Sequence, residues 1–113
     1  MPGMNFSNKI SNKNSADHLD KLIFEKGLRA RNVVVDKKLD LLLVILSNGN
    51  VLQDKISSYS RLRSASQKQL ENWELISKGV GIHWPELNED LSVKGLIKSA
   101  ALSKAIGILQ NER

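Results

Sequence analysis

His83, Glu86, Glu89 and Asp90 fall within a run of eight residues. An imidazole among carboxylates is a side-chain set that can hold a metal ion or pass protons. The run lacks the other parts such chemistry needs: no nucleophile and no glycine-rich phosphate loop accompanies it. Trp84, Leu87 and Leu91 are better read as anchors of this segment in a core. Glu89 and Asp90, just ahead of Ser92, suit the positive end of a helix dipole. The sequence contains no cysteine and only one other histidine, His18, which removes thiolate catalysis, disulfides and cysteine-bound zinc. The expectation is a protein with no catalytic residues, no bound metal and no cofactor. A metal-dependent enzyme built on His83 and its carboxylates ranks third.

Two other groups of residues suggest binding rather than catalysis. The net charge is +5, and Arg29 to Ala65 carries seven basic residues (Arg29, Arg31, Lys37, Lys38, Lys55, Arg61, Arg63) against three acids. Ser66 to Lys98 carries four lysines against five acids, so the excess is local and modest. Arg29, Arg31, Arg61 and Arg63 are the candidate nucleic-acid contacts. Stacking on single strands would want aromatics interleaved with those charges; Trp73 and Trp84 lie elsewhere, and only Tyr59 is close. Nucleic-acid binding is expected to be weak or indirect. The second group is a terminal apolar stripe, in which Ile97, Ala101, Ile108 and Leu109 are candidate contacts with a partner or a second copy.

The elements that must position these residues follow from periodicity and punctuation. Met1 to Asn14 has only Phe6 and Ile10 to bury and reads as a mobile tail. Ser15 caps a predicted helix over 16–26, and Gly27 sits at its C′ position. Val33-Val34-Val35 marks a strand around 31–36, and Lys37-Lys38 turns the chain. Leu39 to Leu46 is apolar on both faces: Leu41, Leu43 and Ile45 on one, Leu42, Val44 and Leu46 on the other. That makes it the central strand, with cover expected on both sides. Asn48-Gly49 predicts a type I′ hairpin turn with positive φ at both residues, and Asn50 to Asp54 is the returning strand.

Ser57 to Arg63 reads as irregular. Ser66-Gln67-Lys68-Gln69 fits a capping box, opening a helix with Leu70, Trp73 and Ile76 or Ser77 on one side and its end at Lys78-Gly79. Gly81 to Asn88 is a loop or short strand, broken at Pro85. Ser92 caps a last helix from Val93 to about Gln110, whose stripe Leu102 and Ile106 widen. The fold class is therefore α+β: a small antiparallel three-stranded meander packed by helices, with a C-terminal helix. At 113 residues and 41% hydrophobic composition there is room for one core. The division expected is a tail over 1–14, one domain over 15–98 and a helical extension over 99–113. No apolar run approaches the roughly 20 residues of a membrane span, and the N-terminal segment lacks a signal peptide's apolar core; a cytoplasmic protein is expected.

The run from Leu43 onward resembles the bacterial family DUF2442. The residues that carry the likeness are Leu46-Ser47-Asn48-Gly49-Asn50, Tyr59-Ser60-Arg61-Leu62, Ala65-Ser66-Gln67-Lys68-Gln69 and Trp73. They continue through Gly81-Ile82-His83-Trp84-Pro85-Glu86-Leu87-Asn88-Glu89-Asp90-Leu91-Ser92-Val93 and Gly95-Leu96. The likeness covers roughly Arg31 to Lys98. The family pattern has proline where Ser60 stands and aspartate where Asn88 stands. The resemblance implies helices packed on a small antiparallel sheet. It also implies company with helix-turn-helix regulators or with small partners in toxin–antitoxin-like pairs, and it carries over no catalytic residue. The expected function is a non-enzymatic interaction protein, a regulatory or antitoxin-like partner of another small protein or of itself. The alternative is a DNA-binding transcriptional regulator using the basic strand region.

Overall fold

In a computed structural model of the chain, residues 17–111 are described, the side chains of 107–111 excepted. The expected tail and Ser15 lie outside them. The first helix, α1 (His18–Asp20), is capped by Asp17, whose carboxylate accepts from the Leu19 amide at 2.9 Å. It continues as a π-helical turn over Lys21–Glu25 and ends at Gly27, with φ +77°. The predicted helix over 16–26 is thus half α and half π.

The meander is present. Strands β1 (Ala30–Asp36), β2 (Leu41–Leu46) and β3 (Val51–Asp54) pair antiparallel in that order. Leu42, Val44 and Leu46 are buried on the inner face, while Leu41, Leu43 and Ile45 are only half-buried on the outer one. Among the described residues no element covers that outer face, contrary to the expectation of cover on both sides.

The hairpin after β2 stands where the sequence places it, but its type differs. The Gly49 amide donates to the Leu46 carbonyl at 3.0 Å and the Leu46 amide to the Asn50 carbonyl at 2.8 Å. Gly49 alone in the turn has positive φ, +89°. This is a three-residue loop, a type I turn closed by a left-handed glycine bulge. Asn48 does not take up positive φ, because its side chain is already engaged: Oδ1 accepts from the Asn50 amide at 3.0 Å, an Asx-type bond within the turn.

Beyond β3 the chain differs more from expectation. The stretch read as irregular contains a 3₁₀ turn (Ile56–Ser58) and a short helix α2 (Ser60–Arg63) that buries Leu62. The capping box opens α3 with both reciprocal bonds in place, but α3 spans only Gln67–Glu71. Glu74–Ile76 is not its continuation; it is strand β4, paired with β5 (Gly81–Trp84), which pairs with β6 (Glu89–Ser92). This second three-stranded sheet lines up Leu75, Ile82 and Leu91 across its inner face. Helix propensity over so short a segment is weak, and cross-strand pairing overrides it.

Trp84 joins the two halves. Fully buried, its indole Nε1 donates to the Leu70 carbonyl of α3 at 2.8 Å. Ser92 then caps α4 (Val93–Asn111), its hydroxyl accepting from the Gly95 amide at 3.0 Å. The helix is continuous across residue 98. Val93 and Leu96 are buried in the common core, whereas every residue from Ala101 to Ile106 is exposed. No helix among the described residues is long and apolar enough to cross a membrane.

Candidate interaction surface

The two edges of the first sheet are treated differently. At the β1 edge the Gln67 side chain from α3 acts as a substitute strand: Oε1 accepts from the Lys37 amide at 2.8 Å, and Nε2 donates to the Val35 carbonyl at 3.0 Å. Among the described residues the β3 edge has no such cover. The Leu46–Asn50 bond sets the phase of the ladder, since hydrogen-bonded and non-bonded pairs alternate. Leu52 and Asp54 therefore exchange bonds with β2, and the backbone groups of Val51 and Gln53 point away from the sheet. An open edge of this kind is a template for another extended segment.

Helix α4 runs past this edge and makes a groove with it, about 820 Å³ in volume. Leu39, Leu41 and Val51 form one wall, and Ile97, Ala100 and Ala101 the other. Leu39 and Val51 are exposed, 70% and 52%. The groove is continuous with the uncovered outer face, because Leu41 and Val51 belong to both.

A polar network on the inner side fixes the helix against the strand. Asp54, 7% exposed, accepts from the Tyr59 hydroxyl at 2.7 Å, the Ser99 hydroxyl at 2.9 Å and the Lys55 amide at 2.8 Å. Each buried lone pair so satisfied avoids a desolvation cost. One turn earlier, Lys94 Nζ lies 2.9 Å from both Asp17 and Asp20, tying the start of α4 to α1. Lys94 holds the Asp17 carboxyl below its usual range, and the Ser57 hydroxyl and amide do the same for Asp40 at the groove's end.

Burial, then the bond to Asp54, push the Tyr59 phenol up to about 12. Tyr59 is the sole tyrosine, so its ionisation is read directly from phenolate absorbance. A folded value above the unfolded 10 stabilises the fold fully below about pH 10, and that contribution disappears as pH rises towards 12. The expected titration has its midpoint near the upper value, and denaturant unfolding moves it to about 10. A folded-state midpoint near 10 would show that Tyr59 is not held in this network.

The remaining candidates fall as follows. Ile97 is half-buried and packs against the core as well as lining the groove; Ala101 is exposed on the groove wall. Ile108 and Leu109 lie in α4, but their side chains are outside the described set. Leu102 and Ile106 do not widen the docked stripe. Leu102 lies nine residues, or two and a half turns, beyond the buried Val93 and so points away from the body; it is 62% exposed and Ile106 45%.

The four arginines form no single patch. Arg29 donates to the Ile23 carbonyl and, at 3.1 Å, to that of Leu28, capping the π turn. Arg61 donates to the Asn88 carbonyl. Arg31 and Arg63 are exposed. His83 and Asp90, opposite one another on β5 and β6, are paired through Nδ1. Glu86 instead accepts from Asn72 Nδ2 at 2.8 Å. Among the described residues no three such side chains converge as metal ligands would. The outward β3 edge and the Gln67 cover could not be found from residue types alone; only the alternation in β2 hinted that a face remained to be filled.

Two small antiparallel sheets with interposed helices and one long terminal helix define an α+β protein. The chain belongs to the family described as "Protein of unknown function (DUF2442)", whose model matches residues 30–101. It is similar to a crystal structure of a protein of unknown function from Rhodospirillum rubrum, with 32% identity and a TM-score of 0.57. That likeness covers 63% of this chain and 86% of the other. A solution structure of an uncharacterized protein from Chromobacterium violaceum shares the fold, with 20% identity and a TM-score of 0.61 over 82% of this chain and 87% of that one. No curated protein matches the chain. The two departures from the family pattern are accommodated. Ser60 is the first residue of α2, where proline is also at home, and Asn88 has φ +50°, a conformation that asparagine and aspartate both tolerate.

Proposed function

We propose that this is a non-enzymatic protein of the bacterial cytoplasm, a regulatory or antitoxin-like partner that binds another small protein. The observation that carries the reading is the open β3 edge beside the apolar wall of α4. An extended segment laid there gains main-chain bonds from Val51 and Gln53, and alternate side chains enter the groove. The buried Asp54 network and the Lys94 ion pairs support it further, because they hold the wall rigid and a preformed groove saves ordering entropy on binding. The DNA-binding alternative has less support. Arg29 and Arg61 are committed to backbone carbonyls, which leaves Arg31 and Arg63 to meet phosphate. So few contacts give a shallow salt dependence.

The test is co-expression with the product of the neighbouring gene. A complex eluting at the combined mass is expected, and Ala101→Glu, which sets a charge on the exposed groove wall, should abolish it with no change in melting temperature. A complex indifferent to that substitution counts against the groove. Tight binding to one DNA sequence at physiological salt would put the arginine reading first.

A further inference from the structure

Two apolar surfaces of this chain have nothing against them among the described residues. One is the outer face of the first sheet, where Val34 on β1, Leu43 and Ile45 on β2 and Val51 on β3 lie in register, Val34 opposite Leu43 and Ile45 opposite Val51. Val34 is 42% exposed, and Leu43 and Ile45 are half-buried. The other is the far side of α4. Val93, Leu96 and Ile97 face the body, while Leu102 and Ile106, one turn apart, share the opposite side. A helix that served only its own domain would carry polar residues there. The two surfaces cannot cover each other within one chain, because the side of α4 that carries Leu102 lies half a turn from buried Val93 and so faces away from its own sheet.

We infer that a second copy of this chain covers both: the outward side of α4 from each copy lies on the outer sheet face of the other, in a two-fold dimer. This rests on reading the protein as an interaction module and names the occupant of the outer face. Size argues for reciprocity. The face is about 14 by 17 Å for three strands of five residues, and α4 from Ala101 to Asn111 is about 16 Å long. One helix on one face buries on the order of 500 Å² in total, less than a stable association needs, whereas the reciprocal pair reaches on the order of 1,000 Å². Composition fits as well. The central positions of the face, Leu43 and Ile45, are aliphatic, as Leu102 and Ile106 are, and the polar residues of the same face, Asn32, Asp36 and Gln53, lie at its margins, opposite Ile45, Leu41 and Leu43. A two-fold axis also closes the assembly, leaving no free apolar surface to propagate a fibre.

The test uses light scattering after size exclusion on the full chain. The wild type is expected to run as a dimer. Leu102→Glu on the helix and Leu43→Lys on the face should each run as monomers with unchanged circular dichroism. Val34→Lys, at a more exposed position of the same face, stands in should Leu43→Lys weaken the fold. An equimolar mixture of the helix and face variants should regain dimers, because the hybrid has one unaltered contact and one lysine–glutamate contact. A wild type that is monomeric at its solubility limit overturns the inference. So does either variant remaining dimeric, or a mixture that stays monomeric. A monomer that still takes up the neighbouring protein in its groove sinks the second copy alone. A dimer that takes up nothing sinks the groove reading alone.

Discussion

Replacing Trp84 with alanine should cost about 3–5 kcal/mol of folding stability, the range for truncating a fully buried aromatic side chain. Trp84 is 0% exposed, and its indole N–H satisfies the Leu70 carbonyl. The substitution empties the space between the second sheet and α3 and also leaves that carbonyl without its donor, a further penalty of about 1 kcal/mol or more. Against a typical domain stability of 5–15 kcal/mol, that loss removes most of the stability of a domain at the lower end of the range. Urea unfolding followed by far-ultraviolet circular dichroism gives the number. Trp84→Phe separates the two contributions, since it keeps most of the apolar volume and loses only the donor; a loss of about 1–2 kcal/mol is expected there. Trp73, only half-buried, serves as the control and should lose less. A Trp84→Ala variant as stable as Trp73→Ala would mean that the second sheet is not anchored through this residue.

The parts of this fold that were legible in the sequence are those whose signal is local. The β2 run shows its two faces within six residues, Ser66 and Gln69 state a capping box within four, and Ser92 announces α4 from the residue just before it. The second sheet was not legible because its strands are three or four residues long. Leu70, Trp73 and Ile76 are spaced like a helix face, and only pairing with Gly81–Trp84 turns the last of them into a strand. The hairpin was placed correctly and typed wrongly for a similar reason: Asn-Gly favours positive φ at both residues, but the Asn48 side chain bonds the Asn50 amide instead. The candidate surface was half legible. Ile97 and Ala101 stood out as an apolar stripe, and both line the groove. The other groove wall depends on which strand edge Gln67 covers from 30 residues away, and the network that fixes α4 joins Asp54 to Ser99 across 45 residues. The same stripe hid the second apolar side of α4, because which side docks is settled by the body and not by the helix.

Gly79→Ala should be the most damaging glycine substitution among the described residues, costing about 3–5 kcal/mol. Ser77, Lys78 and Gly79 have φ of +52°, +58° and +98°, three left-handed residues in succession between β4 and β5. A left-handed conformation alone costs an L-residue about 1–2 kcal/mol. Gly79 carries a second constraint: a Cβ built there lies 2.4 Å from the Ala30 carbonyl oxygen and 3.2 Å from the Ala30 amide nitrogen. Both are backbone atoms at the start of β1, and Ala30 is itself 0% exposed, so neither side has room to retreat. The turn of the second sheet is wedged against the first strand of the first sheet, and the missing side chain is what allows the approach. Gly49 provides the comparison. Its φ of +89° is similar, yet nothing lies within 4 Å of its would-be Cβ, so Gly49→Ala should lose only the conformational penalty. Denaturant unfolding of the two variants side by side isolates the cost of the close approach as their difference. Equal losses would mean that the two sheets do not meet at this turn, and the single core drawn from both sheets would then have to be divided into two.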